Sequence, residues 1–207
     1  MNQQEYLSQI SGNVRPVKQP KQGGKNFLSS PIAKALLFGV VALIVIIIMG
    51  SILGGNKKSP KDSLINLMLH IDGTSEQITE YQAYIRDSSL RANGASLNTV
   101  LADASKAVND YLVAKYSFKS GSESKSAQAK ADENAAALGD ELFEARINGW
   151  LDTVFARKMA YEITLIKTEI DSAYNMVKDD SFKSSLSSSY NSLTNLYDLF
   201  DSFSENN

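Results

Sequence analysis

The chain has 207 residues, a formal net charge of −2 and no cysteine. Its length suffices for one ordinary domain and one additional segment, and the absence of cysteine excludes disulfides and thiolate metal sites. Residues 1–58 hold seven basic residues and one acidic residue, whereas residues 59–207 hold fourteen basic and twenty-two acidic residues. The acidic C-terminal part argues against nucleic acid as a partner, because phosphate binding needs clustered cations. No N-x-[ST] sequon occurs, which favours a bacterial source.

The first thirty residues combine two prolines, a glycine pair and four cations with few apolar side chains. This composition predicts a flexible basic tail over residues 1–30. The cations suggest a docking arm for anionic lipid headgroups or for a cytoplasmic partner. The simpler interpretation, which we favour, is a solvated tail that orients the segment after it.

A run of nineteen residues without a charged side chain extends from Ala35 to Leu53. At about 1.5 Å per residue, a helix of this length spans roughly 28 Å, close to the hydrocarbon thickness of a bilayer. We therefore predict one transmembrane helix over residues 31–54. It is predicted to be an uncleaved signal anchor, because the apolar run is longer than that of a signal peptide and no Ala-x-Ala site follows.

The cations that flank this run predict its orientation. Five lysines and arginines lie between residues 15 and 34, and three follow the run, between residues 57 and 61. The excess on the N-terminal side predicts a cytoplasmic N-terminus and an extracytoplasmic C-terminal domain, in a cell membrane that the chain spans once. Two pairs of small residues, Ala35 with Gly39 and Gly50 with Gly54, have the spacing of helix dimer motifs, so a homo-oligomer is a further expectation.

After a short linker at residues 55–59, we predict an all-α domain over residues 60–207. Pro60 is the last proline of the chain, which permits uninterrupted helices after it. Ser59 is a capping residue directly before that proline, a combination typical of a helix start. The domain is predicted to be an antiparallel bundle of four or five helices.

Apolar periodicity predicts the individual helices. In the first, apolar residues recur every seven positions from Leu64 to Ile85, with Gly73 as a bend and residues 91–94 as the following turn. A second apolar stripe runs from Leu97 to Leu112 and ends before a turn near residues 117–121.

The rest of the domain leaves two boundaries open. Residues 122–137 are rich in alanine, serine and charge but lack large apolar side chains, so they form either a solvated helix or a loop. Residues 138–177 form one long helix, or two if Asn148 and Gly149 end the first. Residues 179–181 are a capping cluster before a last helix with apolar residues three and four positions apart.

The sequence contains no motif for enzymatic chemistry or for a cofactor. The single histidine, His70, has no glutamate three residues before it, so the di-iron pattern of helical bundles is absent. We expect His70 to be a flank or surface residue, and we expect no metal site, no cofactor and no catalytic residue. No Gly-x-Ser-x-Gly turn and no phosphate-binding glycine loop occurs.

The acidic pairs on the predicted helices are interpreted as solvated charges. Asp140 with Glu144 and Glu162 with Glu169 each lie on one helix face, where acidic residues commonly face water. Lys158 lies four residues before Glu162, and this spacing predicts an ion pair within one helix.

Aromatic residues concentrate in the last third of the chain and are the candidate contact residues. They suggest a partner surface or an aromatic-lined groove between helices. The alternative is core packing with tyrosine hydroxyls that reach solvent. The residues are Trp150, Tyr174, Tyr190, Tyr197 and Phe200.

These observations predict a single-pass, membrane-anchored helical bundle that acts as a non-enzymatic interaction or scaffold module of the cell envelope. Its expected partner is a protein of unknown identity. The alternative is a receptor domain that binds a small ligand or peptide in an aromatic-lined interhelical pocket.

Overall fold

Five helices make up the part of the chain that the computed structural model describes, residues 59–206. No strand occurs among these residues, so the all-α prediction is confirmed for them, and the helices pack as a bundle. A short 3₁₀ turn at Gln82–Tyr84 lies between the first two helices. The helices are α1 (Pro60–Tyr81), α2 (Ser88–Tyr116), α3 (Lys125–Ile147), α4 (Leu151–Met176) and α5 (Asp180–Asn206).

The starts of α1, α2, α3 and α5 coincide with side chains that satisfy exposed backbone N–H groups, whereas α4 begins after Trp150 without such a side-chain bond. Ser59 Oγ accepts a hydrogen bond from the Asp62 N–H at 3.1 Å, directly before Pro60. Asp179 Oδ1 accepts one from the Phe182 N–H at 2.8 Å at the start of α5. The predicted helix starts near Ser59 and at residues 179–181 are therefore confirmed.

The predicted turn at residues 91–94 is wrong, because these residues lie inside α2. The chain turns earlier, at residues 82–87, where Asp87 Oδ1 accepts a hydrogen bond from the Leu90 N–H at 2.7 Å and begins α2. Gly94 faces the core, and a Cβ atom at this position would lie 3.5 Å from Phe155 Cζ. The glycine therefore marks a close helix contact and not a chain reversal.

Gly73 does not interrupt α1, which is continuous through it. A Cβ atom at Gly73 would lie 3.2 Å from the Cβ of Ala135 in α3. Contacts of this kind require small residues on both helices, because larger side chains would hold the backbones apart. The predicted bend is therefore replaced by a close approach of α1 and α3.

Both boundaries that the sequence left open are settled by turn geometry. Ser124 Oγ accepts a hydrogen bond from the Ala127 N–H at 3.2 Å, so the helix begins at Lys125 and most of residues 122–137 are helical. Gly149 has a φ of +81°, in the left-handed region that favours glycine. Residues 138–177 accordingly form two helices that meet at this glycine.

The core consists of the apolar stripes that the periodicity predicts. α1, α2, α4 and α5 each contribute a continuous stripe of buried residues, whereas α3 contributes three residues and lies against α1 and α4. The rings of Phe155 and Phe200 meet edge to face with centroids 6.2 Å apart, a preferred aromatic geometry. Truncation of either ring to alanine would cost about 3–5 kcal/mol.

None of the helices within residues 59–206 combines the length and apolarity needed to cross a bilayer. The predicted tail at residues 1–30 and the predicted span at residues 31–54 lie outside the described residues. The predicted linker at 55–59 lies outside them as well, apart from Ser59.

We expect Gly94→Ala and Gly139→Ala to have opposite effects on the stability of residues 57–207. At Gly94 the new Cβ makes ordinary contact with Phe155, and alanine is favoured over glycine within a helix, so the free energy of unfolding should rise by up to about 1 kcal/mol. At Gly139 the new Cβ would lie 2.6 Å from Gln77 Oε1, which is buried, so stability should fall. Urea unfolding of both variants measures this, and equal shifts in one direction would contradict the packing described here.

Candidate functional site

His70 of α1 is held between two glutamates of α4. Its Nε2 donates a hydrogen bond to Glu162 Oε2 at 2.8 Å, and its Nδ1 donates one to Glu169 Oε2 at 3.0 Å. The two glutamates are seven residues apart, which is two helical turns, so both face the same neighbour. The imidazole side chain is 17% exposed.

The two carboxylates determine the charge of the ring. Burial alone would lower the pKa of His70, but the hydrogen bonds and negative charges of Glu162 and Glu169 outweigh burial and raise its pKa from 6.5 to about 10. A ring protonated on both nitrogens has no lone pair with which to accept a proton or bind a metal. The group therefore acts as an ionic bridge between α1 and α4.

Two predictions about these charges are wrong. Glu162 and Glu169 are not simply solvated, because both bind His70. Lys158 does not pair with Glu162 within α4 but with Glu141 of α3. Both errors have the same cause: intrahelical spacing is visible in the sequence, whereas partners on other helices are not.

The bridge does not have the geometry of a metal centre. The carboxylates bind opposite nitrogens of the ring, so the three groups do not converge on one point. Among residues 59–206, no group of three or more histidine, cysteine, aspartate or glutamate side chains has an arrangement that could hold a metal ion.

The five aromatic candidates are not gathered in one groove. Trp150, which directly precedes α4, is 66% exposed, whereas Phe200 is fully buried in the core. Tyr197 is half-buried and packs against the core. Trp150 and Tyr174 are separated by the length of α4, about 36 Å at 1.5 Å per residue.

Tyr174 and Tyr190 line a shallow groove of about 150 Å³ between α4 and α5. The Nζ atom of Lys183 lies 4.8 Å from the centroid of the Tyr174 ring, and that of Lys167 lies 4.8 Å from the centroid of the Tyr190 ring. Cations at this distance over a ring are attracted to its face. These contacts join α4 and α5 across the groove, so the tyrosines contribute to packing as well as to the surface.

A larger cleft, here called the end cleft, lies where the α1–α2 and α3–α4 connections meet. Its volume is about 350 Å³, and Tyr84, Arg86, Arg146, Trp150 and Asp152 contribute to its lining. The guanidinium carbon of Arg146 lies 3.5 Å from the centroid of the Tyr84 ring. This stacking fixes the guanidinium plane at the side of the cleft.

Asp152 joins the two connections that form the end cleft. Its Oδ1 accepts a hydrogen bond from the Arg86 N–H at 3.0 Å, and its Oδ2 accepts one from the Asp87 N–H at 2.9 Å. Asp152 also lies in the first turn of α4, where a negative charge is favoured by the helix dipole. The carboxylate thus holds the backbone of Arg86 at the cleft that Arg146 also lines.

An apolar surface adjoins the end cleft, and we call Tyr84, Phe143, Ile147 and Trp150 the end surface. Phe143 is 51% exposed and Ile147 is 65% exposed, and they are four residues apart on one face of α3. The sequence indicated Trp150 but missed Phe143 and Ile147. Both are large apolar residues that lie outside the buried stripe of α3. This position relative to the stripe is the feature of the sequence from which their exposure could have been predicted. The stripe consists of Leu138, Leu142 and Ala145.

We expect His70→Gln to lower the free energy of unfolding of residues 57–207 by about 1–3 kcal/mol near neutral pH, because two partly buried carboxylates lose their charged partner. The native pKa lies above the unfolded value, so the ring stabilises the fold fully below pH 6.5 and loses this effect as the pH rises toward 10.

Urea unfolding at a series of pH values measures the difference between wild type and His70→Gln. The difference should be largest below pH 6.5 and shrink toward pH 10. Lys106→Gln is the matched control, since it breaks the exposed Lys106–Asp110 pair and should change stability little. A difference that is independent of pH would contradict the ionic bridge.

No family model, curated protein or solved structure matches the chain.

Proposed function

We propose that the chain is a single-pass membrane protein whose helical domain is a non-enzymatic interaction module of the cell envelope, with the end surface as its contact site for a partner protein. One observation carries this proposal: two large aliphatic and aromatic side chains of α3 and the adjacent Trp150 are more than half exposed at one end of the bundle. Contiguous exposed apolar residues with a polar rim are typical of protein contact sites.

The composition of the end surface also supports a protein contact. Tryptophan, tyrosine and arginine are the residue types that contribute most to binding at protein interfaces. Trp150 and Tyr84 belong to the end surface, and Arg146 lines the adjoining end cleft. A large aromatic side chain gains most from being covered, because it removes much apolar area from water at little conformational cost.

The charged residues support a function other than catalysis. His70 is the one histidine of the chain, and both of its nitrogens are bound to carboxylates. A general base needs an accessible lone pair near its substrate. The histidine of this chain therefore serves to join helices, in keeping with a scaffold.

A receptor that binds a small ligand between helices is the second candidate. The groove at Tyr174 and Tyr190 has the aromatic lining that this function requires. Its volume of about 150 Å³ is, however, about half the lower limit of typical ligand pockets. The groove therefore ranks below the end surface.

We expect a photo-crosslinking amino acid at Ile147 of the full chain, expressed in its native cells, to form one discrete adduct with a protein. Trp150→Ser should reduce the adduct several-fold, because the partner loses its aromatic contact. The matched control is the same probe at Val113, an exposed aliphatic residue at the other end of the bundle, which should give no such adduct. Equal adducts from both positions, or none from Ile147, would overturn the end surface as the contact site.

The membrane orientation is tested separately. We place an epitope after Asn207, behind a protease-cleavable linker, and treat cells whose cell membrane is intact. An extracytoplasmic domain predicts loss of the epitope under this treatment, because five cations precede the apolar run and three follow it. Cleavage only after the cell membrane is breached would place the domain in the cytoplasm.

A further inference from the structure

The end cleft is a positively charged site within an acidic part of the chain. Two of its lining residues, Arg86 and Arg146, are cationic, and one, Asp152, is anionic. Neither arginine side chain belongs to an ion pair within residues 59–204, whose side chains the structure describes. Both arginines are exposed. The cleft therefore offers two guanidinium groups that are available to an anion.

The carboxylate of Asp152 does not form an ion pair with the guanidinium group of either arginine. Each of its oxygens accepts a backbone N–H, from Arg86 and from Asp87, and the helix dipole of α4 partly balances its charge. Arg146 has one face against the Tyr84 ring, which leaves the edge of its guanidinium plane, with the N–H groups, for a ligand. A planar fork of N–H donors matches the geometry of a carboxylate.

We propose that the end cleft binds an acidic peptide segment of the partner protein, with its carboxylates on Arg86 and Arg146 and a neighbouring apolar side chain against Trp150. This inference rests on the proposed function and gives the chemistry of the partner. The cleft supplies the charged half of the site, and the end surface supplies the apolar half. An occupant that matches both carries acidic and apolar residues in succession.

A second copy of this chain fits the cleft less well. In a two-fold symmetric pair, the same patch of both copies meets itself, so Arg86 and Arg146 would face the arginines of the other copy. Like charges brought together at an interface are repulsive. Charge complementarity thus favours an acidic partner.

Trp150 makes the binding measurable in the full chain. It is the only tryptophan and it lines the end cleft, so its fluorescence reports occupancy directly. The probe is a blocked peptide with two adjacent glutamates followed by two leucines, which has no aromatic residue. The control peptide carries glutamines in place of the glutamates. The full chain is held in an uncharged detergent at low salt, where exposed charges are least screened.

We expect a saturable change of the Trp150 emission with the glutamate peptide, and binding at least about tenfold weaker with the glutamine peptide. The double variant Arg86→Gln/Arg146→Gln should weaken binding of the glutamate peptide by at least about tenfold. The control Lys119→Gln/Lys125→Gln makes the same change in net charge at the other end of the bundle, on exposed residues, and should leave affinity within about twofold. Circular dichroism establishes that all variants are helical.

Equal binding of the two peptides, equal loss in the two double variants, or no binding at a peptide concentration of about 1 mM would overturn the proposal. Binding of anionic vesicles that requires the two arginines, without peptide binding, would also overturn it and assign the cleft to a membrane surface. These failures are distinct from failure of the proposed function. A crosslink at Ile147 that persists in Arg86→Gln/Arg146→Gln would leave the contact site in place and reject only its acidic partner.

Discussion

The position of α3 depends on a close backbone approach to α1, and the candidate site depends on α3. This helix buries three apolar side chains: Leu138, Leu142 and Ala145. Its other contacts use small residues and polar bonds. Gly139 has no Cβ to displace the buried Gln77, and its carbonyl accepts a hydrogen bond from the Tyr81 hydroxyl at 3.0 Å. α3 ends at the end cleft and carries Arg146. The close packing of α3 on α1 therefore fixes how far the Arg146 guanidinium lies from the α1–α2 connection.

Charged side chains join α4 to both of its neighbours on this side of the bundle. His70 of α1 binds two glutamates of α4, and Lys158 of α4 binds Glu141 of α3. Apolar stripes bury area but tolerate small axial shifts, whereas hydrogen-bonded ion pairs are satisfied at one register. Removal of one partner leaves a partly buried charge without compensation, which is costly. We infer that these pairs define the register of α4, and with it the position of Asp152 beneath the α1–α2 turn.

Features encoded within one helix could be read from the sequence, and features made between helices could not. The cap at Ser59 and the apolar stripes depend on local spacing, so they were predicted correctly. The sequence predicts a turn at Gly94 because glycine occurs both at chain reversals and at close helix contacts, and only the position of the neighbouring helix distinguishes the two. His70 and Glu162 are 92 residues apart, and periodicity does not give the register between their helices. Of the candidate site, the sequence indicates Trp150, whereas only the fold shows that Arg86 and Arg146 line one cleft.

The enclosed state of His70 affects how the domain responds to acidity. Histidine is the side chain that ordinarily gains or loses a charge between about pH 5 and 8, and this chain has only one. With its pKa raised to about 10, that residue keeps its positive charge across the whole interval. This bundle, whose one histidine is held protonated by its own glutamates, has no imidazole that changes its charge over that interval, so the packing of α1 on α4 is insulated from that source of variation.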